Sequence, residues 1–295
     1  MQEYIMKKIS ESKNMNALFF NKIDSVVRSK EEEFLINSEK ILPEFIGDDK
    51  VRYYFNSLGF RSDEFLENHT GKHVLFAGCS ETEGFGGNLE DCWSHMVYTE
   101  LCKTEKISGF FNLSRAGWGN EIIIANIIQY ISRYGKPDKI YMLLPNLSRM
   151  FEYVGQEEGL ETYRHIQLTP YWSQKEVKGN DGEKRKRQTL EHQRNMIPSF
   201  LILMKLFEEY CMSNNIKLVW GTWAQEDGAN YKNLNVFNSF IKLPDHADVL
   251  LKSKNFLPKD KEKRKYLLKK RDGHHGYLYH YMWAQSFLGL LDTKQ

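Results

Sequence analysis

The stretch that decides the fold is KHVLFAGCSETEGFGG, residues 72–87. Its mostly apolar run HVLFA, residues 73–77, has the length of a buried β-strand and stops where the sequence turns polar. Ser80 therefore follows the end of a predicted strand. Gly78 and Gly84 permit a tight turn and a close backbone approach, and the Glu-Thr-Glu after the serine suits the first turn of a helix. The stretch predicts strand, turn and helix, with a hydroxyl at the turn.

The alternation of strand and helix continues along the chain. Apolar runs predict three further strands, at 107–113, 139–144 and 216–220, and helical spacing of apolar residues predicts helices at 89–102, 121–135, 197–212 and 277–291. Asn120 is the expected cap of the second of these helices, and Gly135 its stop. Residues 53–65 are expected to lead into the sheet, with Ser62 or Asp63 capping a short helix that runs to His69. This order predicts right-handed crossovers and a parallel sheet.

Composition limits the class of protein. A chain of 295 residues fits one large α/β domain with an appendage, or two modest domains. Its 41% hydrophobic and 27% charged residues argue against disorder of the whole chain. The net charge of +2 is the balance of 41 basic and 39 acidic side chains, so no global field favours nucleic acid or an anionic membrane.

The cysteines and the amino terminus bear on the compartment. The four cysteines have no CxxC spacing, so reduced thiols are expected. The amino terminus has no apolar signal region, and no apolar run approaches the roughly 20 residues that span a bilayer. The expected location is the cytoplasm, and a protein packaged in a virus particle or released by lysis would have the same features.

Three segments fall outside the predicted sheet. Residues 1–50 have apolar side chains at spacings typical of one or two amphipathic helices, and they form a predicted helical extension that packs on the main domain or docks a partner. Regular patterning fades in an insertion at about 151–193. A polar and basic insertion at 225–270 is expected to form loops and a short helix over the crevice.

Four pieces in this order predict a serine hydrolase. Ser80, Gly117 and Asn146 each follow a predicted strand, and Asp272 precedes His275 by three residues. A serine hydroxyl needs a base, and imidazole exchanges its proton near neutral pH. Asp272 lies close enough in the chain to fix the tautomer of His275. The amides of Ser80 and Gly117 and the carboxamide of Asn146 are the expected oxyanion hole, each donor worth about 3 kcal/mol of barrier.

These blocks resemble the SGNH hydrolase (GDSL-like esterase and lipase) superfamily. The first block is FAGCSETEG, the second runs from Asn112 to Gly117, the third ends at Asn146, and the last is Asp272 to His275. The resemblance covers about residues 52–291. It implies a flavodoxin-like three-layer α/β/α domain with a parallel sheet, and hydrolysis of esters through an acyl-serine intermediate, without metal or cofactor.

The sequence departs from the family pattern at two positions. Cys79 stands where an aspartate usually precedes the nucleophile, and Leu144 replaces a glycine near the expected oxyanion. Cys79 is interpreted as a small buried hydrophobe rather than a nucleophile. His274 rivals His275 as the base, but its spacing from Asp272 is less favourable. The other histidines considered are interpreted as packing or surface groups, and no pair has zinc-ligand spacing: His73, His95, His165, His192 and His280.

The sequence leaves three hypotheses about function. The first is a serine esterase that removes acetyl or other acyl groups from a small molecule or a carbohydrate, for which the many aromatic side chains offer stacking surfaces. The second is a protein with little turnover that acts as an interaction or virion structural protein, with residues 1–50 as its docking or oligomerising element. The third, ranked last, is nucleic-acid binding through the basic runs 184–187 and 259–270.

Overall fold

The computed structural model describes most of the predicted α/β domain. Its described residues are 31–35, 50–145, 149–157, 160–167, 198–223, 236–245, 248–249, 251 and 274–291. Most of the predicted helical extension, residues 1–50, and both basic runs lie outside these residues, as do Asn146 and Asp272. The helical prediction is wrong for residues 31–35 of the extension, which form a β-strand.

A four-stranded parallel sheet lies at the centre. Its strands, numbered with the others along the chain, are β3 (Val74–Gly78), β4 (Phe111–Ser114), β5 (Lys139–Leu144) and β8 (Lys217–Thr222), in the spatial order β4-β3-β5-β8. Their carboxyl ends are aligned, because Gly78 pairs with both Ser114 and Leu143 and Leu144 pairs with Thr222. Loops that follow the strands therefore meet at one edge of the sheet, the carboxyl edge.

Helices cover both faces of the sheet. On one face, α3 (Asn120–Tyr134) and α4 (198–213) pack on inward strand residues that include Leu75, Ala77, Ile140 and Met142. On the other, α2 (Trp93–Thr104) and α5 (Tyr277–Phe287) pack on alternate residues of the same strands, including Val74, Phe76, Tyr141 and Leu143. Neighbouring residues of one strand enter opposite cores, as a strand with two buried faces requires. The predicted three-layer α/β fold is confirmed.

Most element boundaries follow the sequence prediction closely, but the strand predicted at 107–113 begins only at Phe111, and the helix predicted at 277–291 ends at Phe287. Strand β5 begins and ends where predicted, and α3 differs at its start because Gly119 is the capping residue and Asn120 is already helical. Gly135 ends this helix with a φ of +89°, which favours glycine. The region predicted as one helix at 89–102 is a 3₁₀ turn, Leu89–Asp91, followed by α2.

The predicted short helix from Ser62 or Asp63 to His69 is wrong. Both side chains instead hold the segment against β4, the edge strand: Ser62 Oγ donates to Phe110 O and accepts from Asn112 N–H, while Asp63 Oδ2 accepts from Phe110 N–H at 2.8 Å. Backbone groups at the edge of a sheet need partners, and here they find them in residues 62–63. These hydrogen bonds replace the helix cap that the sequence pattern indicated.

Two antiparallel hairpins lie outside the central sheet. Strands β1 (Glu31–Leu35) and β2 (Lys50–Tyr54) form one, and β6 (Arg149–Glu157) and β7 (Leu160–Gln167) form the other. The expectation that regular patterning fades from residue 151 is therefore wrong for the first part of that insertion. All four cysteines are free thiols. Among the helices that the structure describes, none is long and apolar enough to cross a bilayer.

Candidate active site

Ser80 lies at the carboxyl edge, immediately after β3. It begins α1 (Ser80–Glu83), a single helical turn that ends at Gly84 with a φ of +76°. The turn is tight because a Cβ at Gly78 would stand 2.0 Å from Thr82 Oγ1 and 2.7 Å from Leu143 O, so glycine is required there. The predicted roles of Gly78 and Gly84 are confirmed, and the geometry fixes where the chain leaves the strand.

Residues Glu81–Glu83, named here the acidic turn, are buried. Their exposed fractions are 3%, 0% and 0%. The sequence indicated a helix start that tolerates negative charge, whereas the structure places both carboxylates inside the protein. A buried carboxylate is stable only when hydrogen bonds or positive partners replace its water. The partners of the acidic turn therefore show how this corner is assembled.

The acidic turn holds the loop that follows β4. Glu83 Oε2 accepts a hydrogen bond from the backbone N–H of Ala116 at 2.6 Å. Asn112, in β4, donates from its side chain to the carbonyl of Thr82 at 3.0 Å. The next residue in the loop, Gly117, has a φ of +88°, which favours glycine. Within the described residues its N–H makes no hydrogen bond, so this predicted oxyanion donor is available.

Arg61 binds the backbone of the acidic turn and of the residues that follow it. Its buried guanidinium donates through one nitrogen to the carbonyls of Glu83, Gly84 and Gly87, at 3.3, 2.8 and 3.0 Å. Carbonyls at the end of a helix lack partners within the helix and carry negative charge, so a guanidinium is a suitable cap. The lead-in segment therefore also fixes the backbone beside Ser80.

His275 reaches the acidic turn from the loop before α5. Its Nδ1 lies 2.9 Å from Glu81 Oε1, and its backbone N–H donates to the same oxygen at 3.2 Å. A carboxylate only accepts hydrogen bonds, so Nδ1 carries the proton and Nε2 is left with a lone pair. The side chain of His275 is 28% exposed. The carboxylate therefore holds the imidazole in one tautomer.

A second imidazole contacts the other oxygen of Glu81. His280 Nε2 lies 3.4 Å from Glu81 Oε2, and both side chains are buried. The distance is too long for a well-formed hydrogen bond, and the contact is an ion-dipole contact. Burial by itself raises the pKa of Glu81, but the hydrogen bonds and charges of His275 and His280 outweigh it and hold this pKa well below its ordinary value of 4.5. Glu81 is therefore an anion at neutral pH.

Aromatic rings enclose His275 on several sides. Trp223, Tyr279 and Trp283 have ring centroids 5.7, 4.5 and 5.0 Å from the imidazole. Trp223 follows β8, and the two other rings lie on α5. These contacts limit rotation of the imidazole and exclude water from part of its surface, which strengthens the interaction with Glu81.

The structure brings three of the five predicted site residues to this corner. Ser80 begins the acidic turn, Gly117 follows a residue bonded to it, and His275 binds it. Among the described residues the hydroxyl of Ser80, which is 2% exposed, makes its hydrogen bond with Cys79 Sγ at 4.0 Å and none with His275. The roles of Asp272 and Asn146 stay predictions.

Two further residues of this corner were missed or misread from the sequence. Glu81 was assigned only to a helix start, and His280 to packing. Leu144 is buried in the core beneath α3 and α4, and Cys79 is fully buried, as expected for a small hydrophobe. Paired glutamates directly after a glycine-bounded strand were the available signal for Glu81; His280 had none beyond its place in an aromatic helix.

Neither a metal site nor a comparison with known proteins adds to what this corner shows. In the part of the chain that the structure describes, no three His, Cys, Asp or Glu side chains are grouped so that they could hold a metal ion. No protein-family model, curated protein or solved structure matches the chain. The geometry of this corner is therefore the basis for proposing a function.

Proposed function

We propose that the protein is a serine esterase with Ser80 as nucleophile and His275 as general base. The observation that carries this proposal is the 2.9 Å contact between His275 Nδ1 and Glu81 Oε1, which ties the imidazole to the residue next to Ser80. It supplies the orienting carboxylate that a serine nucleophile and its base need. In this proposal Glu81 takes the role that the sequence pattern assigned to Asp272.

The proposed reaction begins at Nε2 of His275. Because Nδ1–H donates to Glu81, Nε2 accepts the proton of the Ser80 hydroxyl as its oxygen attacks the ester carbonyl. The carbonyl oxygen gains the negative charge, the tetrahedral intermediate collapses, and the alcohol leaves with the proton from Nε2. Water, activated by the same imidazole, then hydrolyses the acyl-serine and frees the acid.

The Ser80 hydroxyl must turn from Cys79 toward His275 for this step. A thiol is a weak acceptor, so the 4.0 Å contact with Cys79 Sγ is easily exchanged. Catalytic hydrogen bonds in ligand-free proteins are often long and tighten when substrate binds. The weak tether of Ser80 is consistent with a nucleophile that adopts its reactive rotamer on binding.

The oxyanion hole is proposed to use the amides of Ser80 and Gly117 with the carboxamide of Asn146. The support for Gly117 is the hydrogen bond from Ala116 to Glu83, which anchors its loop beside α1. Donors held by the fold need little reorganisation when charge develops, and each contributes about 3 kcal/mol. Acetyl or other short acyl esters, including esters of carbohydrate, are the proposed substrates.

Ester hydrolysis and covalent labelling test the proposal together. The full chain is expected to hydrolyse p-nitrophenyl acetate, and Ser80→Ala is expected to lower kcat at least about 10³-fold. A fluorophosphonate probe is expected to add to the Ser80 oxygen, displacing fluoride, and mass spectrometry of peptides locates the adduct. Ser132→Ala, at an exposed position on α3, is the matched control and is expected to retain full activity.

Two results would contradict this function. Unchanged hydrolysis by Ser80→Ala would remove serine catalysis, and a probe adduct on Cys79 in the wild-type chain would assign the nucleophile to the neighbouring thiol. The alternative of an interaction or virion structural protein, and that of nucleic-acid binding, depend on residues 1–50, 184–187 and 259–270. No described residue gives either alternative a specific contact.

A further inference from the structure

His280 is a buried histidine with a contact on each side of its ring. Its Nδ1 accepts a hydrogen bond from the backbone N–H of Trp93 at 3.3 Å, and its Nε2 lies 3.4 Å from Glu81 Oε2. Trp93 begins α2, where the first backbone N–H groups have no partner inside the helix. His280 therefore connects the start of one helix to the acidic turn from its place on another.

The contact with Trp93 fixes the tautomer of His280. A backbone N–H can only donate, so Nδ1 must be unprotonated, and the neutral ring then carries its proton on Nε2. Nε2 is the ring atom that lies 3.4 Å from Glu81 Oε2. The carboxylate consequently accepts a hydrogen bond from Nδ1–H of His275 on one oxygen and has an ion-dipole contact with Nε2 of His280 on the other.

A carboxylate held at both oxygens cannot rotate freely. Glu81 Oε2 makes no hydrogen bond among the described residues, so the contact with His280 is what offsets its burial; without that contact the carboxyl group would gain by taking up a proton or turning away. Either change would remove the acceptor from Nδ1 of His275. The second imidazole thus determines whether the first keeps its tautomer.

We propose that His280 is a positioning residue of the active site: it fixes Glu81 as an oriented anion and thereby holds His275 with Nε2 facing the nucleophile. The effect of His280 on turnover rests on the proposed esterase function, whereas its effect on the tautomer of His275 does not. His280 touches neither substrate nor nucleophile in this assignment and acts through Glu81.

Substitution of His280 with Phe and with Gln tests the assignment by kinetics. His280→Phe keeps a ring but loses both polar contacts, and kcat is expected to fall about 10- to 100-fold with little change in KM, as for other partners that orient a histidine. Without His280, less opposes the effect of burial, so the pKa of Glu81 is expected to rise. The acid limb of the pH–rate profile is then expected to move to higher pH. His280→Gln can accept from Trp93 and donate to Glu81, and is expected to recover most of the activity.

A spectroscopic measurement on the full chain does not require turnover. In ¹⁵N-histidine-labelled protein, long-range proton–nitrogen spectra are expected to show His280 protonated at Nε2 and His275 at Nδ1. In His280→Phe, the spectrum of His275 is expected to show a mixture of tautomers instead of the Nδ1–H form alone. His73→Phe, a substitution of another buried histidine at the opposite edge of the sheet, is the control and is expected to leave the spectrum of His275, kcat and the pH profile unchanged.

The outcomes separate this inference from the proposed function. If the wild-type chain has no esterase activity but His280→Phe disturbs the tautomer of His275, the function fails and the positioning role stands. An unchanged His275 spectrum in folded His280→Phe overturns the role of His280, as does an equal kinetic loss in His73→Phe. Should His280→Phe not fold, a wild-type His280 protonated at Nδ1 is sufficient to overturn it.

Discussion

The two edges of the central sheet each hold a pair of histidines, one buried and one half-buried, but only one edge provides a carboxylate between them. At the carboxyl edge, Glu81 separates His275 from His280. At the amino edge, the rings of His69 and His73 stack directly, with centroids 3.6 Å apart and planes 22° from parallel. Histidines therefore lie beside a carboxylate at one edge and against another histidine at the other.

Burial at the amino edge keeps the ring of His73 neutral. Its Nε2 contacts Tyr130 Oη at 2.7 Å, and the nearest carboxylate, Asp138, is engaged by the backbone N–H of His73 at 2.8 Å rather than by its ring. Burial, with a smaller contribution from His69, lowers the pKa of His73 to about 4. Two stacked imidazoles without an anion between them resist protonation, which suits packing.

The comparison shows what a buried carboxylate adds. Between His275 and His280 it accepts a hydrogen bond from one imidazole, lies 3.4 Å from the other and is held as an anion, so the Nδ1–H of His275 is polarised. The two edges differ in the anion, which fixes the nitrogen of His275 that carries the proton.

Among the changes that test the comparison between the two edges, removing the charge of Glu81 has the largest expected effect. In Glu81→Gln the amide can present N–H to His275 Nδ1 and favour the wrong tautomer, and the comparable change in a serine protease triad costs about 10⁴-fold in kcat. We expect a loss of that order in hydrolysis of p-nitrophenyl acetate. Asp138→Asn, the matched change at the amino edge, is expected to leave kcat unchanged.

An Asp272→Asn variant, measured in parallel with Glu81→Gln, decides which of the two carboxylates orients His275. The sequence pattern assigns the orienting role to Asp272, and the contact with His275 Nδ1 assigns it to Glu81. We expect Asp272→Asn to retain most activity. A 10⁴-fold loss in Asp272→Asn together with near-normal kcat in Glu81→Gln would return the role to Asp272 and break the comparison between the edges.

Arg61→Met tests how the carboxyl edge is held, and its expected effect is the second largest. The arginine donates to three carbonyls around the acidic turn, and a hydrogen bond from a charged donor contributes roughly 1.5–3 kcal/mol. Because the three bonds share one nitrogen, we expect the free energy of unfolding in urea to fall by about 4 kcal/mol rather than by their sum. Arg133→Met, at an exposed position on α3, serves as control, and an equal loss there would contradict the assignment.

Local sequence was sufficient for the layers of the fold. Strand β5 is a buried apolar run preceded by Pro137 and followed by Pro145, and α3 carries isoleucines at helical spacing with a glycine after it. Such patterns depend on neighbours in the chain. Ser62 and Asp63 show the limit, because a side chain that caps a helix can equally bond a sheet edge, and tertiary contacts decided between the two.

The composition of the candidate site was only half predictable for the same reason. Ser80, Gly117 and His275 could be expected at one corner because each follows a strand or precedes the last helix. Glu81 could not be assigned, because its partner lies 194 positions away in the chain and a glutamate after a turn is usually a solvated helix start. Burial of a charge depends on what packs against it, which no local pattern contains.

The smallest expected effect is at the amino edge and concerns acid stability. In the unfolded chain His73 has its ordinary pKa of 6.5, and in the folded chain its pKa is about 4, so between these values the unfolded state binds more protons. Its contribution to stability is complete above pH 6.5 and is lost as the pH falls toward 4. Relative to pH 7.5, we expect about 2 kcal/mol of this contribution to be lost at pH 5.

Urea unfolding of the wild type and His73→Phe at pH 7.5 and pH 5 measures that loss. The variant lacks the titrating ring, so its free energy of unfolding should fall less between the two pH values, even if it is less stable at both because Tyr130 has lost its partner. Glu81 should not contribute to this difference, since its folded pKa is depressed and its contribution is lost only as the pH falls below 4.5. An equal pH dependence in both chains would show that the stacked pair accepts protons freely, and the contrast between the two edges would then rest on Glu81 alone.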